Sequence, residues 1–356
     1  MREADPAPHV GILLNPEVKN ILLVRTDRIG DVILSLPMLP LLKRKFPGAS
    51  ITVLVREYTR ELVERHSCVD EVLVYENEGS IASLWSMLLS IREKKFDVAI
   101  IPYPRFRPTL ILFLAGIRVR VGSGYRWYSF LYNKRIYEHR KDARRHEVEY
   151  NLNLLSALSI DPASSPEFEF RTEPSSERAV DSILAGKGLG KGEKFAVLHP
   201  GSGGSARDWP AVNFTELGNR ISEELGLKIV VTGGKEESAL VSMTAGGLGS
   251  PAVTFAGDLS LGELAALLRR AVVFISNSTG PMHIAAVVGT PVVAFFPPII
   301  QCSPVRWGPY SEKKRIFVAD NGACPLCKGS DCRSNVCMDQ IEVGKVYDAV
   351  KELINE

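Results

Sequence analysis

Short apolar, β-branched runs recur along this chain, each followed by a stretch with helical periodicity. Asn20–Arg25 reads as a strand and Asp31–Phe46 as the helix after it. Ser50–Val55, Val72–Val74 and Asp97–Ile101 continue the series, with a helical stretch over Leu84–Lys95. Runs this apolar have no polar face to offer water, so they belong in parallel strands covered on both sides. Alternation of this kind builds a doubly wound α/β sheet. The pattern loosens over Asp161–Glu177, which is rich in Pro, Ser and Glu as linkers are. It then restarts with Phe195–His199, Lys228–Thr232, Ala252–Phe255, Val272–Ser276 and Pro291–Phe296, and a helix over Val212–Glu224. Two α/β halves are expected.

The length of 356 residues suits two domains of roughly 100–200 residues each. The net charge is +2, so affinity for an anionic partner must come from a local patch. The longest apolar run, near Leu110–Ile117, is well short of the ~18 residues of a membrane span. The first residues lack the basic and apolar regions of a signal peptide, so a cytoplasmic location is expected. In a reducing compartment, six cysteines point to thiols or a metal rather than a disulfide framework.

In open α/β sheets ligands bind beyond the carboxyl ends of strands, so the loops after strands carry the chemistry. Three stand out. Arg25-Thr26-Asp27-Arg28-Ile29-Gly30-Asp31 opens a helix. There Asp31 is either a helix-capping carboxylate or a general base facing a cleft. The loop from His199 to Pro210 is rich in glycine around Ser202 and Gly203. It could present backbone N–H groups to an anion, with Arg207 as a clamp, or be a plain turn. It is no Walker A sequence, because no Gly-Lys-Ser/Thr follows. The third loop, Ser276-Asn277-Ser278-Thr279-Gly280-Pro281-Met282-His283, would set Ser278, Thr279 and Gly280 at a helix N-terminus suited to a diphosphate. His283 in its first turn is either structural or a site residue.

Taken together and in order, these loops resemble glycosyltransferase family 9, the ADP-heptose:lipopolysaccharide heptosyltransferases. The segments that carry the resemblance are VRTDRIGDVILSLPMLPLLK, VLHPGSGGSARDWP and SNSTGPMHIAAVVGTPVVAFF, with TGGKEES and SPVRWGPY in support. The resemblance implies a GT-B architecture, in which two Rossmann-like domains face each other across a cleft. Residues 1–170 would hold the acceptor and 171–356 the nucleotide sugar, with the C-terminal helix packing back on the first domain. It implies an inverting transfer of heptose from ADP-heptose to the lipopolysaccharide inner core. Asp31 matches the catalytic base. Arg207, Glu237, Ser278, Thr279, Gly280, His283, Ser202 and Gly203 match the donor side. Glu237 is read as the carboxylate that holds the ribose, or as an exposed acid at a helix start. Many relatives carry Asp where this chain has Ser278, and Asn277 is the nearest substitute. No cofactor is required for catalysis, and no DxD motif is present.

Residues 118–145 hold nine Lys or Arg against Glu138 and Asp142, interleaved with aromatics. A solvated charged face, a nucleic-acid site and an anionic, lipid-linked acceptor at the inner membrane surface are the readings. The near-neutral remainder of the chain argues against nucleic acid. The resemblance implies a phosphorylated lipid-linked saccharide, with Arg118, Arg120 and Arg126 as acceptor contacts. Cys324, Cys327, Cys332 and Cys337 have a spacing that suits structural zinc or an iron–sulfur cluster, with free thiols or disulfides as the alternatives. Two other functions stay open: a transferase of the same class with another nucleotide sugar or polysaccharide acceptor, and a non-catalytic two-domain nucleotide-sugar-binding protein.

Overall fold

The computed structural model describes residues 17–75, 81–162, 165–320 and 337–356. Their strands form two parallel sheets of six. The first contains β1 (Asn20–Val24), β2 (Ser50–Val55), β3 (Glu71–Val74), β4 (Val98–Ile100), β5 (Val119–Ser123) and β6 (Lys134–Ile136). The second contains β7 (Phe195–His199), β8 (Lys228–Gly233), β9 (Val253–Ala256), β10 (Val273–Asn277), β11 (Val292–Phe296) and β12 (Lys314–Val318). The orders are β3-β2-β1-β4-β5-β6 and β12-β11-β10-β7-β8-β9. Chain direction across each sheet therefore reverses once, between β1 and β4 and between β7 and β10. Loops part at those switch points and leave a crevice for a ligand.

The central strands are buried on both faces, as their composition requires. Ile21, Leu22, Leu23 and Val24 of β1 are at most 2% exposed. Leu22 pairs with Thr52 on one side and Ala99 on the other. In the second sheet, β7 lies between β8 and β10, with Leu198 opposite Val231 and Ile275.

Three expectations change. The helix expected over Asp31–Phe46 is two helices, Ile29–Ile33 and Met38–Lys45. Pro37 has no N–H for the Ile33 carbonyl, and its ring opposes that carbonyl. The chain turns there on tighter bonds instead, Leu36 N–H to Ile33 and Met38 N–H to Ser35. The linker stretch is partly helical, because Pro174–Gly186 starts inside it with Pro at the first turn. The C-terminal helix, Val343–Leu353, stays on the second half rather than returning to the first. Its apolar side, Val343, Val346, Tyr347 and Val350, joins the cluster of Phe214, Leu217 and Ile221 from helix Ala211–Leu225. Arg220 covers the Tyr347 ring at 4.2 Å.

The halves meet where helix Ile29–Ile33 packs on helix Gly280–Val287. A Cβ on Gly280 would lie 2.7 Å from the Ile29 Cβ, and one on Gly30 would lie 2.6 Å from His283 Cδ2. Only glycine lets the two helix starts approach this closely. One apolar cluster runs across the contact, from Ile33 and Val32 to Met282, Ile284 and Ala285. We predict that Gly280→Ala destabilises the protein by about 1–3 kcal/mol, the usual cost of overpacking. Denaturant unfolding checks this. A change below about 0.5 kcal/mol, the usual size for an uninvolved surface position, would mean that the contact has room for a Cβ after all.

Candidate active site

The loop after β1 is organised by a buried cation. Arg25 is 1% exposed. Its Nη2 donates to Asp31 Oδ1 at 2.7 Å, and its Nε donates to the Asp31 backbone oxygen at 3.0 Å. Asp27 Oδ1 lies 3.2 Å from Nε and Glu147 Oε1 3.5 Å from Nη2. A guanidinium can do this because its donors form a fixed planar fork. Glu147 opens helix Glu147–Asn153 and is also buried. It accepts from Arg140 at 2.6 Å and, from the second half, from Arg306 at 2.9 Å. Three guanidinium groups and three carboxylates thus form one network around buried Arg25 and Glu147, whose charges need partners.

Burial ranks the carboxylates. Glu147 is pushed up by burial, but Arg140, Arg25 and Arg306 overcome this and hold it below the ordinary range. Asp27 is pushed up to about 7 by burial, against the pull of Arg25. Burial also raises Asp31, again opposed by Arg25. Of the three, the Asp31 side chain has the most contact with solvent, at 18% against 7% and 2% for Asp27 and Glu147.

Asp31 lines an open cleft of about 230 Å³. Gly30 and Arg28 are on the same wall. Opposite are Ser278, Thr279, Gly280 and His283, with Ser205, Gln301, Cys302 and Trp307 at the sides. The helix start that bears Asp31 and the Ser278–Gly280 helix start therefore share one cavity. Burial pushes His283 down to about 3, so its imidazole is neutral, and its Nδ1 has no hydrogen-bond partner among the described residues.

The glycine-rich loop adjoins this cleft. Asn277 is fully buried and ties the loop at two points: its Oδ1 accepts from the Trp209 N–H at 2.7 Å and its Nδ2 donates to the Pro200 oxygen at 2.6 Å. Asn277 is thus committed to the loop and cannot stand in for a carboxylate near a sugar. Glu237 Oε1 accepts from the Gly203 N–H at 2.8 Å, and Oε2 accepts from the Gly234 N–H at 2.7 Å. The Ser202 hydroxyl donates to the Ala206 oxygen at 3.1 Å. Arg207 is 9% exposed, and Asp208 is pushed up to about 6 by burial. Ser202, Gly203, Arg207 and Glu237 do not line the Asp31 cleft. They are placed beside it through Ser205, whose hydroxyl accepts from Arg28 at 2.6 Å across the two halves.

His146 adds a second bridge. Its Nδ1 accepts from the Val148 N–H at 3.3 Å, so its Nε2 must donate, and it does so to the Gly308 oxygen at 2.9 Å. Arg118 and Arg126 are exposed on the first half. Arg120, expected among the acceptor contacts, instead braces the sheet edge. It donates to the Leu131 oxygen at 2.7 Å and to the Ile117 oxygen, and it covers the Phe113 ring at 5.1 Å. Cys324, Cys327 and Cys332 lie outside the described residues, and Cys337 is buried. Among the described residues no group of three His, Cys, Asp or Glu side chains could hold a metal. Arg25, Arg140, Glu147 and Arg306 were not anticipated. Arg25 and Arg306 fall inside the matching segments, whereas Glu147 and Arg140 carry no local signal.

The sequence pattern of glycosyltransferase family 9 (heptosyltransferase) matches residues 84–336. The chain belongs to this family. It is a glycosyltransferase of GT-B fold. A lipopolysaccharide heptosyltransferase 3 of Escherichia coli is 24% identical over 335 residues, which cover 91% of this chain and 96% of that protein. The crystal structure of a family 9 glycosyl transferase from Veillonella parvula has a TM-score of 0.82 at 23% identity, over 96% of this chain and 99% of the other. The Escherichia coli ADP-heptose lps heptosyltransferase II has a TM-score of 0.78 at 22% identity, over 94% and 98%.

Two predictions follow from the charge network. Glu147→Gln leaves buried Arg25 and half-buried Arg140 and Arg306 short of a charge and should cost about 3 kcal/mol of stability. The cost should be non-additive with Arg306→Met in a double-mutant cycle, because the two groups touch. Additive costs would show that the pair is not coupled. Asp27 gives a pH signature. Its folded pKa is above the unfolded value near 4, so the folded state binds more protons in between. Stability should therefore fall as pH rises from about 4 to about 7. Asp27→Asn should flatten that slope; an unchanged slope would assign it to other groups.

Proposed function

We propose that this glycosyltransferase moves a heptose from ADP-heptose to the inner core of lipopolysaccharide, with inversion at the anomeric carbon and Asp31 as general base. The observation that carries the reading is the shared cleft of Asp31 and the Ser278–Gly280 helix start. An acceptor oxygen attacks the anomeric carbon, the bond to the diphosphate breaks, and Asp31 takes the hydroxyl proton. The diphosphate leaves with the bonding electron pair toward the N–H groups at the start of helix Gly280–Val287. A carboxylate raised by burial is a better match for proton removal near neutral pH than an ordinary one. Arg25 opposes that rise and fixes one oxygen. Neutral His283 can hydrogen-bond without adding charge.

Residues 1–170 form the acceptor half and 171–356 the donor half in this reading. In support, helix Pro174–Gly186 packs on helix Leu261–Arg270 of the second half. Arg207, Glu237, Ser202 and Gly203 serve the nucleotide, and Arg118 and Arg126 an anionic, lipid-linked saccharide. The enzyme works at the cytoplasmic face of the inner membrane. Among the described residues no helix is long and apolar enough to cross a membrane. The names of the Escherichia coli relatives, with ADP-heptose and lipopolysaccharide as their substrates, support donor and acceptor. Ser278 favours a second reading, the same chemistry with another nucleotide sugar, because it offers no carboxylate at a position next to the donor helix.

Thermal shift with ADP, UDP, GDP and CDP separates the two. A ligand at about 100 times its Kd stabilises by about 2.7 kcal/mol. ADP alone should do so, and a preference for UDP or GDP would overturn the donor. Asp31→Asn should lower transfer at least about 100-fold, the low end for general-base loss, with ADP affinity unchanged. Wild-type turnover in that variant would sink the mechanism. In the wild type, kcat/KM should rise with pH on an acid limb above the ordinary aspartate range.

A further inference from the structure

Large apolar side chains exposed on this protein are unevenly placed. Among the described residues, ten of sixteen fall between Trp85 and Tyr137. Soluble monomers seldom expose contiguous apolar patches beyond a few hundred Å² unless a partner covers them. Helix Phe106–Leu114 is apolar on two sides. Ile111 and Leu112 are buried, while Phe106, Phe113 and Leu114, at i, i+7 and i+8, form an outer stripe that is 38%, 44% and 53% exposed. The adjoining helix Ile81–Glu93 packs against it and exposes Trp85 and Leu89, one turn apart. Trp127, 74% exposed, stacks on Phe106 at 4.9 Å and meets Tyr128 edge-on at 5.3 Å. Its ring is held in place while its surface faces water. Arg107, Arg118 and Arg126 are exposed on the same segment.

The occupant follows from shape and charge. Rings that stack on a sugar sit in concave sites, and the Asp31 cleft is walled by other residues. A second copy of the chain seated on this face would bring the exposed Arg107, Arg118 and Arg126 against their own counterparts. An anionic lipid surface satisfies both features, since Trp suits the headgroup level and each nearby Arg gains from lipid phosphate. We propose that Trp85, Leu89, Phe106, Phe113, Leu114 and Trp127 form a docking face for an anionic phospholipid bilayer. The loops after β4 and β5, which bear Phe106 and Trp127, lie at the same end of the parallel sheet as the Arg25–Asp31 loop. Docking there brings a hydroxyl carried by a lipid to the base. The inference rests on the lipid-linked acceptor reading for its purpose, but its test needs neither donor nor acceptor.

Full-length protein is sedimented with vesicles of phosphatidylcholine, alone or with about a third phosphatidylglycerol. It should bind the mixed vesicles, bind phosphatidylcholine weakly, and be released at about 0.5 M salt. The double variant Trp127→Ser/Leu114→Ser should bind at least about tenfold more weakly. Val212→Ser, an exposed apolar residue of the second half, should bind like the wild type. Failure to bind mixed vesicles, or equal binding by the double variant, overturns the proposal. Loss of a solution dimer in the double variant, without vesicle binding, assigns the face to a second copy. A raised KM for a soluble core saccharide, with vesicle binding intact, assigns it to the acceptor. Failure of the heptosyltransferase reading shows separately, in the nucleotide panel and in Asp31→Asn.

Discussion

The contact between two helix starts sets the geometry of this enzyme. Ile29 and Gly30 of the first half press against Gly280 and His283 of the second, closer than any side chain at the two glycines would allow. Everything proposed for catalysis lies within a turn of that contact. Asp31 follows Gly30 directly, and Thr279 precedes Gly280. Asp31, the proposed base, and the N–H groups that would meet a diphosphate are thus held in register by packing, at rigid element ends. A long loop between the halves could not hold that register.

A second layer of control is electrostatic. Glu147 takes cations from both halves, Arg25 and Arg140 on one side and Arg306 on the other. Arg25 in turn fixes Asp31. The position of the second half is therefore felt at Asp31 through Glu147 and the one guanidinium, Arg25, that the two carboxylates share. His146, one residue before Glu147, bridges to Gly308, two residues beyond Arg306. The same short stretch of each half makes both bridges, so separation of the halves would break them together.

The fold was legible where strands are apolar throughout, as in β1, β2, β7, β10 and β11. It was not legible at the edge strands β6 and β12, whose sequences KRI and KRIFV carry charges, nor at β5, VRVGS, which lies next to the edge and has its own arginine. Edge strands bury only part of their surface, so the apolar run that marks a strand is diluted. The helix break at Pro37 was visible in principle, since proline in a helix interior removes a bond. Asp31, Ser278, Thr279, Gly280 and His283 were found because each sits just after a strand, and the structure gathers them around one cleft. Glu147 could not be found that way. It is an acid just past the basic segment, more than a hundred residues from the loop it serves, and only the folded chain brings it to Arg25.

Glu237 carries a last consequence. Its two oxygens hold two different glycine N–H groups, one in the loop after β7 and one in the turn after β8. A carboxylate can accept at both ends, whereas an amide accepts at one and donates at the other. Glutamine would thus turn one contact into two donors facing each other. The residue acts as a clasp between loops before any sugar arrives. Weaker nucleotide binding by a glutamine variant would report a clasp that has sprung open as much as a missing ribose contact.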